Sequence, residues 1–236
     1  MGDDWAAGPA GPSLSPGEVH VWQADLDLLP DFQGCLSPDE LSRADRFLTG
    51  ELRRRFVAGR GLLRDILARY LGVPSRDIRF GYGSAGKPRL DGLGSPRFNL
   101  SHCGGLALVA LALDAEVGVD VERVRPLPEL EHIAAHFFAP SESRALLALP
   151  PERREAGFFN CWTRKEAIVK CLGEGLSHPL DSFEVSLAPG EPPRILHAAN
   201  PDLRWWWLAS IEPAPGYAAA IALQARQASL STFTWR

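Results

Sequence analysis

Long apolar runs are missing from this chain. The longest, such as residues 106–113, fall well short of the roughly 20 residues that a membrane helix requires. The N-terminus is acidic where a secretory leader would be basic and then apolar. Together these absences predict a cytoplasmic protein with no membrane association. Paired cysteines are missing too: Cys35, Cys103, Cys161 and Cys171 stand apart without a CxxC spacing, which argues against a zinc site or a disulfide framework and predicts reduced, mostly buried thiols. Nor does one charge dominate. Lys plus Arg number 25 against 29 Asp plus Glu, a formal net charge of -4, so nothing draws the chain generally to nucleic acid, and any anion site has to be built locally.

What is present is an ordinary globular composition, 45% hydrophobic over 236 residues, enough for one large domain or two small lobes. Residues 1–17 are rich in Gly, Ala, Pro and Ser and read as a flexible tail. Val19, Val21 and Trp22 suggest a first strand, and Ser37-Pro38-Asp39-Glu40 an N-cap with Pro at the first helical position. Phe56, Leu62, Leu63, Ile66, Leu67 and Tyr70 recur at helical spacing until Gly72 and Pro74 stop the pattern. Strands are predicted at 78–82, 98–102, 106–113 and 117–122, the last two as neighbours joined by a tight connection. Helices follow over 130–138, 141–149 (opened by Ser141-Glu142) and 155–172, then strands near 183–187, 205–211 and 218–223. The two halves have comparable element patterns, which predicts two related α+β lobes, 18–116 and 117–236.

Asp120 and Glu122 sit two apart on a predicted strand, so both carboxylates face one way, with Cα atoms about 7 Å apart. Such a pair repels itself unless a cation lies between, though a solvated strand face would carry the same spacing. Glu166 and Lys170, four apart on a helix, either form a surface pair or supply a third carboxylate and an ammonium for a bound phosphate. Leu176, after Gly173-Glu174-Gly175, is expected to turn back against the core. Lys87, Ser101 and His102 offer cation and hydroxyl donors in a short stretch, and Arg60 a guanidinium from the preceding helix.

Gly86-Lys87-Pro88, Phe98-Asn99-Leu100-Ser101-His102, Val117-Gly118-Val119-Asp120-Val121-Glu122 and the run from Trp162 through Lys165-Glu166 and Lys170 to Gly173-Glu174-Gly175-Leu176 occur in order. In these residues the chain resembles the 4′-phosphopantetheinyl transferases, in their two-lobed monomeric branch, over roughly residues 37–187. The resemblance implies two pseudo-symmetric α/β lobes with coenzyme A in the cleft between them. It implies Mg²⁺ held by Asp120, Glu122 and Glu166, Lys170 on the phosphates, and Lys87, Ser101, His102 and Arg60 at the 3′-phosphate and adenosine end. The family's early helix often carries further lysines for the nucleotide; here the stretch offers Glu40 and Arg43, of which only Arg43 could serve.

The implied reaction is attack of a serine hydroxyl of an apo acyl or peptidyl carrier protein on the β-phosphate of coenzyme A, expelling 3′,5′-ADP. Glu166 or a water on the metal would take the serine proton. Two other readings fit the same residues: a Mg²⁺-dependent nucleotide pyrophosphohydrolase, which would need only water as acceptor, and a non-catalytic module that binds coenzyme A or a carrier protein.

Overall fold

The structure, a computed structural model, describes residues 5–83, 86–90, 95–175 and 178–236; the expected seat of Leu176 lies outside these. In chain order the strands and helices are β1 (Ala6–Ala7), β2 (Glu18–Asp25), α1 (Pro38–Ala44), α2 (Gly50–Leu71), β3 (Gly81–Tyr82), β4 (Pro88–Arg89), β5 (Arg97–Cys103), β6 (Leu106–Ala112), β7 (Val117–Arg123), α3 (Leu130–Phe137), α4 (Pro140–Leu147), α5 (Pro151–Leu172), β8 (Phe183–Val185), β9 (Ile195–Ala198), β10 (Trp207–Ile211), β11 (Tyr217–Leu223) and β12 (Ser229–Thr234). A five-stranded sheet runs β1-β12-β2-β6-β5 and a three-stranded one β10-β11-β7.

The architecture is α+β with two lobes built on one plan. Each has a strand, a short helix, a 22-residue helix and a returning antiparallel pair, β2-α1-α2-β5-β6 and β7-α4-α5-β10-β11. The likeness reaches single residues. Ser37 caps α1 and the Glu40 carboxylate accepts from the Ser37 amide at 2.8 Å; in α4 the Glu142 carboxylate accepts from the Ala139 amide at 2.9 Å. Pro follows the cap in both. Each glutamate then pairs with a buried cation, Glu40 with Arg64 and Glu142 with Lys165, and both cations are the fifteenth residue of their long helix. Gly72 and Gly173, at φ 65° and 75°, end those helices in the left-handed conformation that glycine adopts without a Cβ penalty.

The strand alternation explains how the sheets meet. Val19 and Val21 of β2, Leu108 and Ala110 of β6, and Val117, Val119 and Val121 of β7 fill one core between the sheets, while Trp22 faces α2. The even positions of β7 face α5 instead. At Gly118 a Cβ would stand 2.0 Å from the Ala167 carbonyl, so strand and helix backbones meet directly there.

Several expectations need correction. Strands β6 and β7 are not paired neighbours: β6 pairs with β2 and β5, β7 with β11, and the two meet face to face through side chains. Asp114, at φ 61°, lies in the connection that changes sheets. The segment before residue 18 is not loose where it is described. β1 runs parallel to β12, the Gly8 amide donates to the Thr234 carbonyl at 2.9 Å, and Leu14 packs on the core that Trp22 forms with α2; backbone pairing holds what composition could not show. β12 itself lies in the first sheet beside β2, although its residues end the second half of the chain. The cap of α4 is Ala139, and the Ser141 hydroxyl is buried without a partner. Of the expected strand over 78–82, Gly81–Tyr82 is extended and paired, with Pro88–Arg89. The four thiols are free, as expected, with Cys161 and Cys171 buried and Cys35 and Cys103 partly so.

Candidate active site

The carboxylates converge between β7 and α5. Asp120 is 3% exposed; its Oδ1 accepts the Ser101 hydroxyl at 2.9 Å and the Lys170 ammonium at 2.5 Å, and Lys170 also donates to Ser101 Oγ at 3.1 Å. Its other oxygen, Oδ2, is buried with no hydrogen-bond partner. A buried carboxylate oxygen left unsatisfied is costly, so it marks a place that a donor or cation completes.

Glu122 and Glu166 feel the same crowding. Burial pushes the Glu166 carboxyl above its ordinary range, Lys170 opposes this, and Asp120 and Glu122 add to it. Glu122 is raised by burial first and then by Asp120, against the Cys103 thiol, Lys170 and Arg125. Among the described residues no three His, Cys, Asp or Glu side chains form a ready-made metal cage, and the Lys170 ammonium stands at Asp120. The donor set nevertheless fits Mg²⁺: hard oxygens, one of them orphaned, with charge left over that a single ammonium does not neutralise.

The four residues expected at the nucleotide end are divided by the structure. His102 is exposed near the end of β5, on the face whose Phe98 and Leu100 pack toward α2, beside a depression of about 310 Å³, which Arg43, Arg55, Arg60 and Tyr82 also line. Partial burial, then Lys170 and Arg55, pull its imidazole below the ordinary histidine range. Arg60 is less free than expected: its Nε and Nη2 reach Glu40 Oε1 at 2.8 and 2.7 Å, Nη2 donates to the Tyr82 hydroxyl at 3.1 Å, and its guanidinium lies over Phe80. It walls the depression as part of a buried network. Ser101 faces Asp120 on the carboxylate side. Lys87 turns away from His102: Gly86 and Pro88 border the His102 depression, while the Lys87 side chain borders another on the far side of the loop, where it pairs with Glu116 at 2.9 Å.

Neither Arg55 nor Tyr82 stood out in the sequence, since both come to the depression through long-range folding. Nor did Lys165, which lies next to Glu166 yet is fully buried against Glu142 and the Leu180 and Phe183 carbonyls. Its signal was present: Pro followed two residues later by Glu, before a long helix, occurs in both halves.

Comparison with known proteins agrees with this geometry. A family profile described as 4′-phosphopantetheinyl transferase superfamily matches residues 116–222, and one described as 4′-phosphopantetheinyl transferase, N-terminal, matches residues 20–114. The chain is 41% identical over 226 residues to the 4′-phosphopantetheinyl transferase HetI of Nostoc sp., covering 93% of each. It is 36% identical over 157 residues to the 4′-phosphopantetheinyl transferase Sfp of Bacillus subtilis, covering 66% of this chain and 68% of that one. To the L-aminoadipate-semialdehyde dehydrogenase-phosphopantetheinyl transferase of Mus musculus it is 28% identical over 165 residues, 65% of this chain and 53% of that one. With matches that run through both lobes and meet just before β7, the chain belongs to the 4′-phosphopantetheinyl transferases, in their two-lobed, Sfp-like branch.

Proposed function

We propose that this transferase moves the phosphopantetheine arm of coenzyme A onto a serine hydroxyl of an apo acyl or peptidyl carrier protein, as a Mg²⁺-dependent monomer of the cytoplasm. The observation that carries the metal assignment is the orphaned Oδ2 of buried Asp120, flanked by the raised carboxyls of Glu122 and Glu166. These three side chains would hold Mg²⁺, which when bound supplies positive charge against the pyrophosphate.

The chain's own groups account for the rest. Lys170, 29% exposed at its side chain, is long enough to leave Asp120 for a phosphate oxygen, adding a charge-assisted donor as negative charge grows on the leaving group. Glu166, with its proton affinity raised, is suited to take the serine proton at neutral pH. The serine oxygen then bonds to the β-phosphorus, the bond from that phosphorus to the bridging oxygen breaks, and 3′,5′-ADP leaves with the electron pair. His102 and Arg43 line the depression proposed for the adenosine and 3′-phosphate end. No helix among the described residues is long and apolar enough to cross a membrane.

The test is incubation with coenzyme A, Mg²⁺ and an apo carrier protein. The carrier should gain the mass of one phosphopantetheine only with all three present. Release of 3′,5′-ADP without any carrier gain would favour hydrolysis, with water as acceptor.

A further inference from the structure

Lys87 is the residue whose surroundings fit its expected role least. An ammonium has three N–H donors, and here all three have acceptors: Glu116 Oε2 at 2.9 Å, the Val117 carbonyl at 3.1 Å and the Cys171 carbonyl at 3.2 Å. No donor remains for a phosphate. Its side chain is 17% exposed, and the stem lies across Gly173, where a Cβ would stand 3.4 Å from Lys87 Cδ.

Two of the three acceptors lie in the elements that carry the carboxylates, and the third, Glu116, immediately precedes β7. Val117 opens β7, three residues before Asp120, and Cys171 is the last residue but one of α5, next to Lys170. The Cys171 carbonyl is among the last four of α5, which have no partner within the helix, and a cation there also suits the helix dipole. A second tie runs beside it, from the Cys171 thiol to the Glu116 carbonyl at 3.1 Å. Glu116 is steadied from the other side by Arg97 Nε at 3.4 Å. Above this knot the backbones of β7 and α5 touch at Gly118, so a shift of the helix end carries directly to Glu166 and Lys170.

We propose that Lys87 is a positioning residue: with Glu116 it clasps the end of α5 to the start of β7 and so sets where Glu166 and Lys170 stand against Asp120. The proposal rests on the transferase reading for its effect on rate, but not for its effect on geometry.

The test uses the full chain with Lys87→Met, which keeps the stem and removes the charge, and Glu116→Gln, which keeps size and weakens the pair. Three quantities are read: Mn²⁺ affinity without coenzyme A, amide exchange over residues 169–173, and single-turnover transfer with coenzyme A or dephospho-coenzyme A. Both variants should lose about tenfold in Mn²⁺ affinity and in rate, the usual scale for a group supporting metal ligands. Exchange at the end of α5 should quicken, and the KM ratio between the two substrates should stay as in the parent. The proposal is overturned if Lys87→Met leaves Mn²⁺ binding and exchange unchanged but raises the KM for coenzyme A to that of dephospho-coenzyme A, or if Glu116→Gln has no effect. Should Lys87→Met fail to fold, Glu116→Gln decides alone. If the parent transfers nothing, the transferase reading fails, and the exchange measurement still judges the clasp.

Discussion

Replacing Asp120 by alanine removes the carboxylate that Ser101 and Lys170 both hold and the oxygen that lacks a partner. Transfer should be abolished while the circular dichroism spectrum stays that of the parent, because the half-buried Lys170 can turn to solvent and repulsion with Glu122 and Glu166 is relieved; normal transfer by this variant would remove the metal site. Glu166→Gln keeps shape but loses proton affinity, and single-turnover transfer at saturating coenzyme A should fall about 100-fold or more if Glu166 is the base. A full recovery on raising Mg²⁺ would reduce Glu166 to a ligand, since mass action overcomes only weakened binding. His102 gives a pH signature. Its lowered pKa leaves the imidazole mostly neutral at pH 7, and a 3′-phosphate bound beside it, as proposed, would favour the imidazolium. Coenzyme A binding should therefore take up protons and tighten as pH falls from 7 toward 6, whereas His102→Gln should lose both effects and bind with a raised KM. Calorimetry in two buffers of different ionisation heat measures the uptake. At this scale the acidic residues were legible from the sequence, because a period of two on β7 and four on α5 fixes faces locally. Lys87 and Arg60 were not, since Glu116 and Glu40, which claim them, are neighbours only in space.

Element by element, the second lobe depends on how closely α5 lies on β7. Gly118→Ala would drive a Cβ to 2.0 Å from the Ala167 carbonyl and 2.5 Å from the Cys171 amide nitrogen, both backbone atoms that cannot rotate aside. A loss of about 3 kcal/mol or more is expected in urea unfolding, with the transfer rate falling alongside; an unchanged midpoint would show that the two backbones are less tightly apposed. The other fixture of α5 is Lys165, 0% exposed at its side chain, against Glu142 at 2.7 Å. Lys165→Met leaves that glutamate charged and buried, which costs about 3–5 kcal/mol, whereas replacing both partners by apolar residues should cost less. Comparing the unfolding midpoints of single and double variants checks this. Helix existence and ends were legible in advance from spacing, caps and terminal glycines. That the residue beside Glu166 points into the core was not, because one step along a helix turns a side chain by roughly 100° and the sequence alone does not say which turn is inside.

For the whole molecule, the last strand decides more than its position suggests. β12 joins β2 in parallel and gives β1 its partner, Phe233 packs on Trp22 with ring centroids 5.1 Å apart, and Trp235 donates to Asp65 at 2.7 Å. A chain ending at Ala228 should melt about 10 °C or more below the parent, and the loss should be seen in the first sheet although the deletion lies at the opposite end of the sequence. A midpoint within a degree or two of the parent would mean that β12 contributes little. This is where sequence reading stopped. Strands can be recognised locally, but which strand lies beside which is settled by contacts across the whole chain, so the division into two consecutive halves missed the one strand that crosses back.

The repeated plan of the two lobes has a consequence for how the protein can change. The sixteenth and twentieth residues of α5 are Glu166 and Lys170; at those places α2 has Asp65 and Arg69, which bond to each other at 2.9 Å. Around them Tyr70 accepts from Trp22 at 2.9 Å and hydrogen-bonds His20, and the Arg69 guanidinium lies over Trp22 and Trp235. Where one copy leaves an acidic gap, the other is stoppered with aromatic rings. Of the two equivalent positions on the long helices, only the α5 copy keeps the uncompensated acidic charge that a working site needs, and the α2 copy is released from the usual conflict between robustness and activity. Stabilising substitutions around Trp22 and Tyr70 should raise the melting temperature with no penalty in turnover, so the stoppered copy is the place from which this enzyme can be hardened.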